Sequence, residues 1–464
     1  MNSSGQAITP DGARKFQVRL LADARLALQS RLSELEMAAS VCGGKLTLFF
    51  SVCEGESRAV VLHFTGPDLS SLWSVAEPAL LQTVCRTGKP WQWLRVDWIN
   101  AVQQPVPLSR LKQDWKQVKR NYFRCGLAFD SDFRVAFTEQ ELNANACLYG
   151  GNEVPHVHLN EKNFQHYSNG RFGAELKLPF QDESAVWVFE TAGLFLSEAG
   201  MHAIDTSPRN EGRRILQDLN PDTTRAVIDS ASKFLASQVR NSGQFVYGHF
   251  PVFGQEIPTY NTLRHASSVY AMLEAWELNR DDELMNAIRR AIDYLLKECI
   301  HLHELPGVGK LAFNVETGAN EIKLGASAVA ILALVKYDQL TGDTQHRPLL
   351  EQLALGIAAM QNQHTGQFVH VLHADTLKLK EAFRIVYYDG EAAFALMRLY
   401  GLTKDPRWLF LVKKAFDYFI EAKHWKHHDH WLSYCVNELT LYTQDSRYFK
   451  FGVQNIFSYL DFIE

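Results

Sequence analysis

Apolar and polar positions follow two different rhythms along this chain, and the change falls near residue 206. Before it, apolar residues come in short alternating or continuous runs over 45–52, 59–64, 94–99, 125–129, 174–178 and 186–196, which predicts strands. Between them, 15–39 and 72–87 carry apolar residues at helical spacing, although Pro78 interrupts the second. The first 205 residues therefore read as a mixed α+β domain. The stretch 205–220, with Pro208 and a closing Asn220-Pro221-Asp222, reads as a linker, so that a second domain is expected over 206–464.

The second domain repeats itself. Leu278-Asn279-Arg280-Asp281, Leu340-Thr341-Gly342-Asp343 and Leu402-Thr403-Lys404-Asp405 recur at a spacing of 62, and Tyr442-Thr443-Gln444-Asp445 follows 40 residues later. A second register agrees, because Gln238…Gly243-Gln244-Phe245 returns as Gln361…Gly366-Gln367-Phe368 after 123 residues. Each repeat holds a helix that is apolar nearly all round, a short turn, an amphipathic helix and a longer loop. The first kind must be covered on every side, whereas the second exposes half its surface, so inner and outer helices are expected. Inner helices fall near 262–278, 324–340, 389–401 and 432–443, and outer ones near 222–239, 282–300, 347–362, 406–422 and 447–462. The expectation is an all-α toroid, an incomplete α/α barrel of about four to five hairpins.

Composition narrows the class without deciding it. In 464 residues, 47 Lys+Arg face 52 Asp+Glu for a net charge of -5, and 46% are hydrophobic. That balance has no footprint for nucleic acid or a membrane surface, and no apolar run approaches the length needed to cross a bilayer. The N-terminal segment has no basic-then-apolar pattern, and a cytoplasmic location is expected. Seven scattered cysteines without a C-x-x-C pair read as reduced core thiols. No cofactor is implied, and the oligomeric state is open.

In a ring of hairpins, the segments entering the inner helices collect at one mouth. Polar and aromatic residues cluster at all four entries: Tyr247, Tyr260, Asn261, Arg264 and His265 at the first, and Glu316 and Lys323 at the second. Arg384, Tyr387, Tyr388, Asp389 and Glu391 stand at the third, and His428, Asp429, His430, Trp431 and Tyr434 at the fourth. Aromatic faces suit sugar rings, Arg and Asn suit carboxylates and hydroxyls, and acids or bases can carry the reaction. His265, Tyr388, Asp389 and Glu391 are the candidate catalytic groups, with Asp389 placed as a helix N-cap. The others are candidate substrate contacts. The run 424–430 is rich in histidine but lacks a spaced metal signature, so no metal is expected. In the first domain, Glu139, Glu141, Asn143 and Asn145 alternate, and half of them are expected to face solvent.

The alternation of inner and outer helices with Gly-x-Phe loops, and the segment Tyr388-Asp389-Gly390-Glu391-Ala392-Ala393-Phe394, resemble the α/α-toroid superfamily of carbohydrate-active enzymes over about 220–464. The superfamily holds glycosidases, polysaccharide lyases, sugar 2-epimerases and glucuronyl epimerases. The resemblance implies an enzyme that processes a glycan, expected to be acidic, by hydrolysis, elimination or epimerisation. The alternative is a helical-repeat protein that binds a peptide or protein in its concave face without catalysis.

Overall fold

The fold comes from a computed structural model that describes residues 10–206, 212–215, 219–250, 254–305, 307, 309–457 and 459–460. The chain divides into two compact units, Met1–Asp218 with His249–Gln255, and Leu219–Gly248 with Glu256–Glu464. The linker expected over 205–220 lies partly outside the described residues.

The first unit is built on an antiparallel sheet. In chain order its elements are α1 (Pro10–Gln29), α2 (Leu32–Val41), β1 (Leu46–Cys53), β2 (Val60–Gly66), α3 (Leu69–Gln82), β3 (Trp93–Val102), β4 (Val106–Pro107), α4 (Leu108–Asp114), β5 (Gly126–Ala128), β6 (Ala136–Phe137), α5 (Glu139–Ala144), α6 (Glu161–Phe172), β7 (Ala185–Ser197) and β8 (Gly200–Ala203). The strand order is β2-β1-β3-β7-β5-β6, with β4 and β8 also pairing with β7. Strand β1 reads as an unbroken apolar run because both faces are covered. Leu48, Phe50 and Val52 pack with Leu21, Leu28, Leu72 and Trp73, whereas Phe49 packs with Phe133 and Phe189 on the other side.

Three expectations change here. The helix over 15–39 is two helices, because Ser30 Oγ and Arg31 Nη1 both donate to the Ala27 carbonyl and close the first one. No strand forms over 174–178; Gln165 binds that segment instead, its Nε2 donating to Leu176 O and its Oε1 accepting from Leu178 N. Glu139, Glu141 and Asn145 are all buried. Their spacing is read by a short helix rather than a strand, and Glu141 closes a capping box on Thr138.

The second unit carries α7 (Pro221–Ser237), α8 (Thr262–Asn279), α9 (Asp282–Tyr294), α10 (Leu324–Thr341), α11 (Arg347–Ala359), α12 (Tyr387–Thr403), α13 (Pro406–Glu421), α14 (His430–Tyr442) and α15 (Ser446–Phe457). Two-residue strands β9 (His249–Phe250) and β10 (Gln255–Glu256) fall before α8. Helices α8, α10, α12 and α14 pack side by side in that order, and α9, α11, α13 and α15 each pack on the inner helix before them. Every residue of α10 from Leu324 to Asp338 is buried, whereas α9 buries one face through Leu284, Met285, Ile288, Ala291 and Ile292. The repeated Leu-x-x-Asp is the turn between an inner and an outer helix. Its third residue takes a left-handed conformation at Arg280, Gly342 and Lys404, and its aspartate caps the next helix at Asp281 and Asp405.

The unit is not all-α. The loops between hairpins form an antiparallel sheet of β11 (Ile300–Leu305), β12 (Gly309–Glu316), β13 (Glu321–Lys323), β14 (Val371–His373) and β15 (Leu379–Glu381). The outer helix expected over 282–300 accordingly ends at Tyr294, passes through a wide turn at Leu295–Cys299 and continues as β11.

Candidate active site

Helix α12 begins without a side-chain cap, and Asp389 lies inside its first turn rather than at the N-cap, which is Val386. An acidic residue is favoured there by the helix dipole. Asp389 is 3% exposed, and its Oδ2 lies 3.2 Å from His370 Nε2. His370 Nδ1 accepts from the backbone N–H of Arg384 at 3.0 Å, so the proton sits on Nε2 and is donated to Asp389. Asp389 therefore has a fixed donor, held by the entry to β14.

Two residues on, Glu391 is also buried, against α10. A Cβ on Gly325 would collide with its Oε2, so glycine at 325 makes the room. The third carboxylate, Asp429, caps α14 by accepting from Trp431 N at 2.9 Å, while its Oδ2 lies where a side chain on Gly390 would stand. Glu391 Oε2 and Asp429 Oδ2 are buried without a hydrogen-bond partner among the described residues. Burial, with the charge of Asp429 added, pushes Glu391 up to about 8. Burial pushes Asp429 up to about 7 against the hydrogen bond from Trp431, with the charge of Asp389 also raising it. Three carboxyl groups in one apolar place cannot all be ionised at neutral pH.

An aromatic rim borders them. Tyr387 and Tyr434 are 40% and 52% exposed, and the His430 ring lies 5.5 Å from Tyr387, 5.2 Å from Trp431 and 5.9 Å from Tyr434. Burial, with the charge of Glu391 added, pushes the Tyr388 hydroxyl up to about 12.

The other candidates are bound into local groups of their own. His265 is 2% exposed, with Nε2 donating to Ala291 O at 2.8 Å and Nδ1 2.7 Å from the Tyr260 hydroxyl, so neither nitrogen is available for proton transfer. Tyr260 also accepts from Phe245 N, and Arg264 leans on Tyr247, while Asn261 caps α8. These five form one local group at the start of α8. Glu316, Lys323 and Arg384 belong to an ion network centred on Glu321, which Arg384 grips at 2.7 and 2.8 Å and Lys380 at 2.9 Å. His428 Nδ1 bonds Asn455 O. Among the described residues, no three His, Cys, Asp or Glu side chains are arranged to hold a metal ion.

The reading of the sequence missed His370 and Gly325. A signal for the first was present: the register of 123 places His370 on Tyr247, itself a chosen residue.

No family model matches this chain, and no curated protein does. Parts of it are similar, at low identity, to solved structures of sugar epimerases and a mannanase. One is cellobiose 2-epimerase from Spirochaeta thermophila DSM 6192, at 16% identity over 44% of this chain, with a TM-score of 0.36; the chain spans 55% of that protein. A sugar epimerase from a ruminal bacterium gives 13% identity over 51% of this chain and 72% of its own, with a TM-score of 0.42. A GH76 α-mannanase from Bacteroides thetaiotaomicron gives 12% identity over 50% and 73%, with a TM-score of 0.36. The chemistry of this chain has to come from its own residues.

Proposed function

We propose that the helical unit processes a carbohydrate by general acid–base chemistry, with hydrolysis of a glycosidic bond as the reaction. The observation that carries this reading is the buried trio of Asp389, Glu391 and Asp429 beneath exposed aromatic rings. Glu391, held up at about 8, keeps its proton at neutral pH and is the acid for a leaving oxygen. Asp389, oriented by His370, is the base that activates water, and Asp429 holds the proton on Glu391. The rim of Tyr387, Trp431 and Tyr434 supplies stacking faces for sugar rings.

Elimination or epimerisation with a tyrosine or histidine base is not favoured. His265 is closed on both sides, and the Tyr260 and Tyr388 hydroxyls are pushed up, away from the basic form. A neutral glycan fits better than an acidic one, because Lys323 and Arg384 beside the cluster are already bound to carboxylates. A non-catalytic peptide binder would have no use for unpaired carboxyl oxygens below its surface.

The test is reducing-end release from neutral cello- and mannooligosaccharides, with uronate oligosaccharides in parallel. Turnover of a neutral glycan that falls by about 10³ or more in Glu391→Gln and Asp389→Asn, with melting temperature not lowered, supports the reading. Turnover that survives both substitutions, or no turnover or binding of any oligosaccharide by the intact protein, overturns it.

A further inference from the structure

The first unit holds a cavity of about 630 Å³ that the reading above does not use. Its floor is the start of β2, with Val60 and Leu62; its walls come from the loop after α3, through Thr83 and Arg86, from Asn145 after α5, and from one side of α6. The segment looked alternating in sequence, yet it builds a rigid wall here. Glu141 accepts from Thr138 N, Tyr167 Oη and Arg171 Nη1, which fixes α5 against α6. Arg171 also donates to Ala136 O and His63, so its charge is consumed.

Two other arginines are different. Arg58 adjoins Ala59 of the wall and donates from Nη1 to Asn145 Oδ1 at 2.9 Å; its Nε is buried and has no partner among the described residues. Arg86 lines the cavity; burial first, and the charge of Arg86 second, lower the affinity of Arg58 for a proton. No carboxylate pairs with either among the described residues; Glu54, four residues before Arg58, accepts instead from Thr87, the residue after Arg86. Two like charges beside one cavity repel unless an anion lies between them.

Gly170 points the same way. It stands inside α6, where glycine costs about 0.5–1 kcal/mol relative to alanine. A Cβ there would meet nothing within 4 Å. Packing does not require the glycine, and its missing side chain leaves the cavity open.

We propose that this cavity binds a small organic anion carrying a phosphate or carboxylate, held by Arg86 in the lining with the charge of Arg58 behind Asn145, and with Asn169 as a hydrogen-bonding partner for its neutral part. The test is calorimetric titration of the full chain with inorganic phosphate, glucose 6-phosphate and glucuronate, with glucose as neutral control at matched ionic strength. The expected result is saturable binding of at least one anion and not of glucose, weakened about tenfold or more by Arg86→Ala, which alters only an exposed side chain, and by Gly170→Leu, which fills the space. Binding by phosphate compounds alone or by glucuronate alone identifies the anion. Glu391→Gln leaves this binding unchanged, so failure of the glycan reading would not be mistaken for failure here. No binding by any of the three anions, or equal binding by both cavity variants, overturns the proposal.

Discussion

A carboxyl group that is buried beside another resists ionisation, and folding stability must register that resistance. Unfolded, Glu391 releases its proton near pH 4.5; folded, it holds the proton to about 8. The folded state binds more protons across that window, so its stability is greatest below it and falls as pH rises through it. Asp429 adds to the same fall between its ordinary 3.8 and about 7. Glu391→Gln removes the ionisable group while keeping its shape, so thermal melts of the variant should lose less stability between pH 5 and 8.5 than the parent. At pH 8.5 the variant should be the more stable, by on the order of 2 kcal/mol. Parallel melting curves would show that Glu391 ionises freely. The place of Asp389 and Glu391 at the start of an inner helix was legible in the sequence, because both interrupt an otherwise apolar helix. Their companionship was not. At i and i+2 they leave a helix in different directions, and only a helix covered on every side, with Gly325 opposite one and His370 opposite the other, buries both.

Among elements, the repeat was legible because its turns impose chemistry that side chains cannot evade. Gly243 and Gly366, 123 residues apart, have φ of +89° and +82°, and a Cβ at either would run into a backbone carbonyl, of Arg290 and of Lys414. Both the left-handed conformation and the close approach require glycine. Gly366→Ala should therefore cost about 2–4 kcal/mol in urea denaturation. The cap variant Asp405→Ala should cost about 1 kcal/mol, since it frees one backbone N–H at the start of α13 and breaks a half-exposed ion pair to Arg407. A Gly366→Ala protein as stable as the parent would mean that this turn relaxes without strain. The sheet β11–β15 was not legible for the converse reason. Its strands are three to eight residues long and sit in loops, and β13 through Lys323 and β15 through Glu381 are held partly by ion pairs to Glu321 and Arg384. Charged short segments carry no alternating apolar pattern to read.

At the scale of the molecule, each unit has a hydrophobic cluster of its own. One runs through Leu21, Phe50, Trp73 and Val96, the other through Val269, Leu332, Leu396 and Phe416. Units that bury separate cores are expected to unfold as separate cooperative systems, and the domain boundary near residue 206 becomes a thermodynamic proposal. Tryptophans report on both: six of the ten, from Trp73 to Trp187, precede the boundary and four, from Trp276 to Trp431, follow it. His265→Ala is the probe that separates them. It leaves the Ala291 carbonyl without its side-chain donor in a buried place and opens space between Phe245 and Tyr294, whose rings lie 5.1 and 5.2 Å from the imidazole. A loss of about 2–4 kcal/mol follows for the helical unit. Urea unfolding followed by fluorescence should then show two transitions, with His265→Ala moving one to lower denaturant and leaving the other in place. If both shift together by the same amount, the chain unfolds as one system, and the boundary divides a pattern of sequence rather than two domains.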